Sequence, residues 1–346
     1  MTEVDALVIG GGPSGLATAH ALRHTGREPV VLEAGPEAVG SWPSYYDSLT
    51  LFSPARFSGL PGMVFPGDPE HYPHRDEVVD YLRRYAKHLA VDIRTGHRAE
   101  SVHHDGPGFR VRLTNGAEVR TRVLVAATGS FGRPHRPDLK SFTGKLLHAS
   151  EYREPTPFAG QRVVVVGAGN SAVQIGVELA AHAQVTLATR KPIRFVPQRP
   201  LGRDAHFWAT ATGIDSAPVG HLLRTPPHQP VLDHGRYRAA LTAGAPDQRR
   251  LFTALDGTRV IWPDGSREHV DTIILATGYR PDLSYITALG ALDGEGRPHQ
   301  RRGLSTTHPG LGFVGLEWQR SLALATLRGV GRDARYVVSR LLARTS

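Results

Sequence analysis

The chain has 346 residues, 40% hydrophobic and 21% charged, an ordinary globular composition long enough for two domains with their own cores. Its formal net charge is +9, yet the basic residues come in scattered pairs such as Arg83-Arg84 and Arg249-Arg250, so a nucleic-acid partner is not expected. Cysteine is absent, which excludes a redox-active thiol pair, and the 18 histidines show no zinc-type spacing, so no metal is expected.

An acidic start, Thr2-Glu3-Val4-Asp5, passes at once into the apolar run Ala6-Leu7-Val8-Ile9. That leaves no room for a basic-then-apolar secretory leader, and no apolar run approaches the ~20 residues that cross a bilayer. The expected location is cytoplasmic, with no membrane partner. The run leads into Gly10-Gly11-Gly12-Pro13-Ser14-Gly15 and a short helix over 15–24. In such a turn the first glycine permits the bend, the second lets backbone approach a pyrophosphate, and the third lets helix and strand pack closely. Amides at the helix N-terminus then bind the anion. The next strand, Pro29-Val30-Val31-Leu32, ends in Glu33, where a carboxylate holds a ribose hydroxyl. The reading is an FAD site; the plainer alternative is a structural turn.

Residues 39–73 are too rich in proline, glycine and aromatics for a helix and read as an ordered loop of the kind that covers a cofactor. A helix follows over 74–89, with Val78, Tyr81, Leu82, Tyr85 and Leu89 on one face. Strands over 109–113 and 117–120 flank Asn115-Gly116, a hairpin signal, with Ala99 just ahead of them a further cofactor-contact candidate. A buried strand over 123–127 ends in Thr128-Gly129. Residues 142–160 read as a connector.

The pattern then repeats. Val163-Val164-Val165-Val166 leads into Gly167-Ala168-Gly169-Asn170-Ser171-Ala172 and a helix-like stretch. The following strand, Gln184–Thr189, ends in Arg190-Lys191 and lacks an acid. An arginine there can pair a 2′-phosphate with forked hydrogen bonds, which points to NADPH, with NADH left possible. A merely solvated strand end remains the alternative. No element is assigned over 192–250. Strands over 257–262 and 272–275 flank the turn Pro263-Asp264-Gly265-Ser266, and Ala276-Thr277-Gly278 echoes Ala127-Thr128-Gly129. Residues 312–315 read as a short strand, and 321–343 as an amphipathic helix interrupted near Gly329 and Gly331.

The expected fold is α/β: two Rossmann-like, doubly wound, three-layer nucleotide-binding domains, the second inserted into the first. The FAD domain would span 1–153 and 279–346 and the NAD(P)H domain 154–278, hinged near 152–157 and 278–281.

Phe142-x-Gly144-x-x-x-His148-x-x-x-Tyr152, lying just ahead of the second turn, resembles the fingerprint of flavin-containing monooxygenases. Gly40-Ser41-Trp42 is similar to that family's G-x-W segment near the flavin, and residues 275–279 to its A-T-G-Y element. The resemblance spans essentially the whole chain and is nearest to short bacterial members. It implies that NADPH reduces FAD, and that the reduced flavin passes one oxygen atom of dioxygen, by way of a hydroperoxide, to sulfur or nitrogen of a small molecule. It implies FAD contacts at Gly10, Gly12, Pro13, Ser14, Gly15, Glu33, Gly40, Ser41, Trp42, Phe52, Ser53, Ala99, Thr128 and Gly129. It implies nicotinamide-dinucleotide contacts at Gly167, Gly169, Asn170, Ser171, Thr277 and Gly278, to which the strand-end reading adds Arg190 and Lys191. Larger members carry an asparagine after the G-x-W segment; Ser53 is its nearest counterpart and the one catalytic candidate, or else a turn residue. An oxidase or dehydrogenase without oxygen transfer shares every cofactor motif. Trp318 and Gln319 are candidates for the flavin or substrate face, a packed core tryptophan being the alternative. His148 is expected to bond backbone and fix the hinge. Oligomeric state is not legible, and a homodimer stays open.

Overall fold

The computed structural model describes residues 2–215, 217–218, 220, 230–321 and 326–345. The apolar runs Ala6–Ile9 and Arg162–Val166 become central strands of two separate sheets. The first sheet runs Gln300–Arg301, Leu304–Ser305, Leu311–Phe313, Leu124–Ala126, Ala6–Ile9, Pro29–Leu32, Asp92–Arg94. Its last five strands pair in parallel. The second runs Lys145–His148, Thr272–Leu275, Arg162–Val166, Gln184–Thr189, Asp247–Arg250, parallel throughout. Every strand of the second sheet lies in sequence between Leu124–Ala126 and Leu311–Phe313 of the first, so one α/β unit is nested within another.

Alternation along each strand explains the layering, because successive side chains point to opposite faces. Ala6 and Val8 join a core with the helices Pro13–Arg23, Arg75–Leu89 and Leu327–Thr345. Leu7 and Ile9 face the opposite way, onto an antiparallel sheet built from Ala99–Asp105, Gly108–Leu113 and Glu118–Thr121. In the second unit Val163 and Val165 pack on the helix Asn170–Leu179, while Val164 and Val166 pack with Val260 and Trp262. Burial on both faces is why these strands read as unbroken apolar runs.

Several elements differ from the sequence expectation. Lys145–His148 is a strand of the second sheet, not connector. The stretch 192–250 holds parallel strands Phe195–Pro197 and Val231–Asp233, helices Ala205–Ala211 and Arg236–Thr242, and the edge strand Asp247–Arg250. The turn at 263–266 closes a hairpin of Arg259–Ile261 with Arg267–His269, leaving Thr272–Leu275 to the parallel sheet. The helix Leu327–Thr345 runs through both glycines without a break. Gly331 is needed there for packing: a Cβ would overlap the Pro61 ring. The start of the predicted helix, at 322–325, lies outside the described residues.

The crossing between the units is a two-stranded ribbon, Arg133–Pro134 antiparallel to Tyr279–Arg280. Of its two legs, Tyr279–Arg280 falls within 278–281 and Arg133–Pro134 falls earlier than 152–157. Tyr152 is fully buried in the second core, its hydroxyl donating to Glu178 Oε2 at 2.7 Å.

Candidate functional site

Both glycine turns sit at the C-terminal ends of central parallel strands, where open α/β sheets bind ligands. In the first, Gly10 has φ +108°, and a Cβ on it would stand 2.8 Å from the Ala127 carbonyl oxygen. A Cβ on Gly15 would overlap the Gly10 carbonyl, so helix and turn meet at backbone distance. Gly12 is the N-cap residue of Pro13–Arg23, and no side chain caps that helix end. Gly40 closes against Gly12: its Cβ would lie 2.9 Å from Gly12 Cα. Glu33 is buried, its two carboxylate oxygens accepting from the Gly11 and Gly35 amides at 2.7 Å each. It therefore braces the turn, with lone pairs remaining for a hydroxyl donor. Ala99 opens the strand that follows Gly96 and His97, whose amides donate to the Gly35 and Glu33 carbonyls at 2.8 Å.

The second turn repeats the device. Gly167 has φ +151°, and a Cβ there would overlap the Ala276 carbonyl oxygen. Gly169, the N-cap of Asn170–Leu179, has φ −92°, no side-chain cap, and open space where a Cβ would project. Half-buried Asn170 and Ser171 follow it. Arg190 and Lys191 are exposed at the end of Gln184–Thr189.

At the crossing, Thr277 Oγ donates to the His135 carbonyl, and His135 N–H donates to the Gly278 carbonyl at 2.9 Å. His148 Nδ1 accepts from Ser150 N–H at 3.1 Å, which fixes the Nε2–H tautomer donating to the Gly278 carbonyl at 3.0 Å. Burial holds this imidazole below its ordinary pKa, so it stays neutral and fixes the ribbon. The opposite wall comes from the first unit. Thr128 Oγ donates to the Asp282 carbonyl at 3.3 Å, Gly129 leaves open space at its Cα, and Ser130 Oγ both donates to the Gly315 carbonyl and accepts from Glu317 N–H.

The loop reaches over from Gly40. Exposed Ser41 bonds Tyr45 through its hydroxyl at 3.0 Å, and half-buried Trp42 meets Tyr45 edge to face. Phe52 and Ser53 are half-buried; Ser53 Oγ shares a hydrogen bond with Ser58 Oγ at 3.0 Å. Gln319 is buried, its amide nitrogen donating to the Phe313 carbonyl at 2.6 Å, while its Oε1 has no hydrogen-bond partner among the described residues. Half-buried Trp318 holds φ +57°, which turns the chain just after Glu317. Sequence reasoning missed Tyr72, Gln198, Asp204 and His206, which gather between the loop and the second unit. Tyr72 lies 132 positions from Asp204, and the segment 198–206 carries no local pattern. Among the described residues no three His, Asp or Glu side chains gather as metal ligands, and no helix is long and apolar enough to cross a membrane.

A family model for pyridine nucleotide-disulphide oxidoreductases matches residues 7–200. The chain belongs to that family. It is similar to an uncharacterised oxidoreductase of Bacillus subtilis, CzcO, at 34% identity over 97% of this chain and 99% of the relative. Indole-3-pyruvate monooxygenase YUCCA1 of Oryza sativa is 32% identical, covering 80% of this chain and 77% of the relative. A flavin-containing monooxygenase from Stenotrophomonas maltophilia superposes with a TM-score of 0.88 at 31% identity over the whole of both chains. These likenesses bear out the resemblance read from the motifs: the chain is an oxidoreductase of the flavin-monooxygenase kind.

Proposed function

We propose that the chain binds FAD at the first glycine turn and NADPH at the second, and transfers one oxygen atom from dioxygen to sulfur or nitrogen of a small molecule. The observation that carries this is the pair of uncapped helix ends, each preceded by a glycine whose Cβ would strike the neighbouring strand's backbone. An uncapped helix N-terminus leaves amides and a positive dipole end without a partner, which suits a pyrophosphate. The cradles at Gly12 and Gly169 fit such a group, since neither holds a side chain. In this reading Ser14 and Gly15 amides hold the FAD pyrophosphate and Glu33 its ribose; Asn170 and Ser171 hold the second pyrophosphate, and Arg190 the 2′-phosphate. The FAD unit keeps both termini and the nicotinamide unit the middle, its first strand being Lys145–His148. When bound, the flavin supplies the redox chemistry, taking hydride from the nicotinamide and activating dioxygen. The protein's own part is to position both groups and exclude water from the flavin through the loop over 42–73.

Mixing the NADPH-reduced protein with oxygenated buffer and following the flavin spectrum, with NADH in parallel, tests this reading. A transient oxygenated flavin followed by product supports it. A colourless protein that refuses FAD overturns it. Direct return to oxidised flavin with stoichiometric hydrogen peroxide selects the second reading, an NADPH oxidase. That reading is favoured by one observation: Ser53 offers a single hydroxyl, already shared with Ser58.

A further inference from the structure

Asp204 is 4% exposed and collects four donors on one carboxylate. Oδ1 accepts His206 N–H and His206 Nδ1–H, each at 2.7 Å. Oδ2 accepts the Tyr72 hydroxyl at 2.5 Å and Gln198 Nε2–H at 2.8 Å. Burial opposes the charge, but the donors from His206, Tyr72 and Gln198 outweigh it and hold the carboxyl well below the ordinary aspartate range. Asp204 is also the N-cap of the helix Ala205–Ala211. A cap needs only the His206 amide; the other three donors need another explanation.

Those three point to the covering loop. Tyr72 belongs to it. Gln198 gives a second hydrogen bond, at 2.9 Å, to the Phe52 carbonyl. The His206 ring stacks on Phe52 at 5.8 Å and 21°, and lies against Phe57 at 6.3 Å. Both partners of Asp204 on its own segment therefore touch the residue that precedes Ser53. A surface ion pair, Arg199 with Glu70 at 2.7 Å, spans the same gap, though exposed pairs contribute little. A buried carboxylate with every acceptor position filled fixes geometry far better, because moving any one partner leaves a buried charge undercompensated.

We propose that Asp204 is a positioning residue: it latches the covering loop, and with it Phe52 and Ser53, onto the middle unit of the chain. The functional half of this proposal rests on the flavin reading above; the latch itself does not.

Hydrogen exchange on the flavin-loaded protein tests it without turnover. In the loop, the Leu51, Ala55 and Arg56 amides donate to the Pro73, His71 and Pro69 carbonyls, so their exchange reports loop opening. D204N turns one acceptor oxygen into a donor; exchange over 50–58 should quicken by about tenfold, and in Y72F, which loses one bond, by about threefold. Peptides over 162–166 should not change. D264N, at an exposed aspartate, should leave both regions unchanged. With NADPH, the share of electrons recovered as hydrogen peroxide should rise in D204N and Y72F, a ratio that mere loss of folded protein leaves untouched. Wild-type exchange over 50–58 in folded D204N, or equal acceleration everywhere, overturns the latch. Should D204N fail to fold, Y72F decides by the same criterion. Altered exchange with no oxygen transfer in any variant keeps the latch and removes the monooxygenase reading instead.

Discussion

Gly169→Ala separates a glycine kept for a ligand from one kept for the fold. Gly169 has φ −92° and ψ −175°, a conformation alanine adopts freely, and nothing lies within 4 Å of where its Cβ would be. Restricting the unfolded chain stabilises by about 0.4–1 kcal/mol, and exchanging a glycine N-cap for the poorer alanine costs roughly 0.5–1.5 kcal/mol, so the net change in stability should stay within about 1 kcal/mol. The methyl group would, however, stand in the open space beside this helix end that the proposed pyrophosphate would enter. Displacing one charge-assisted hydrogen bond to a pyrophosphate costs about 1.5–3 kcal/mol. That predicts roughly a 10- to 150-fold rise in the NADPH concentration that half-saturates flavin reduction. Anaerobic stopped-flow reduction across a range of NADPH concentrations measures it, beside a thermal melt. Gly167→Ala is the counterpart: with φ +151° and the Ala276 carbonyl in the way, it should lower the melting temperature outright. Unchanged NADPH saturation in a well-folded Gly169→Ala protein would refute the assignment of the second turn to a dinucleotide.

Arg190→Ala should raise the half-saturating NADPH concentration by roughly 10-fold or more, the worth of a charge-assisted pair, and leave NADH nearly unaffected; equal losses for both nucleotides would remove Arg190 from the 2′-phosphate. Ser53→Ala should increase hydrogen peroxide per NADPH consumed without changing the rate of flavin reduction, measured by a peroxide assay beside NADPH absorbance; an unchanged ratio makes Ser53 a turn residue. Asp333 lies fully buried, with Arg320 Nε at 3.3 Å from one oxygen and no partner among the described residues on the other; burial, against the pull of Arg320, pushes its carboxyl up to about 7. The folded state then holds a proton that the unfolded chain releases near pH 4, so stability falls as pH rises from about 4 to 7. Asp333→Asn should therefore melt higher than wild type at pH 8 and not at pH 5; an equal gain at both pH values would contradict this.

The two turns were legible because their requirements are local and steric: a strand must bend into a helix within a few residues, and only glycine satisfies Gly10 and Gly167. The strands at 6–9 and 163–166 were legible because burial on both faces removes polar residues. Lys145–His148 was missed for the opposite reason. It is a short edge strand with an exposed lysine, and only its pairing with Thr272–Leu275 makes it one. Gly329 and Gly331 misled because intrinsic propensity marks them as breakers, whereas contact with helix and loop outweighs about 1 kcal/mol of glycine cost. The Asp204 cluster had no sequence signature, since Tyr72 lies 132 positions from Asp204.

The absence of cysteine sharpens what this arrangement can do. The family's description names disulphides, and passing electrons to a disulphide takes a thiolate. This chain has none, so under the proposed function electrons delivered to a flavin at the first turn do not pass on to a thiol of this chain. In that reading the split between product and peroxide depends on how well the loop over 42–73 excludes water while dioxygen is engaged. The loop's own contribution is modest: Ser53 and Ser58 share a hydroxyl pair, and Phe52 and Phe57 remain half-buried. Its anchors on the middle unit include the Asp204 carboxylate, the Gln174 side chain that accepts from the Tyr46 hydroxyl, and the Arg153 carbonyl that accepts from Asp47 N–H at 2.9 Å. Under the proposed function and the proposed latch, such anchors would tie the choice between oxygenase and oxidase to how the two nested units meet.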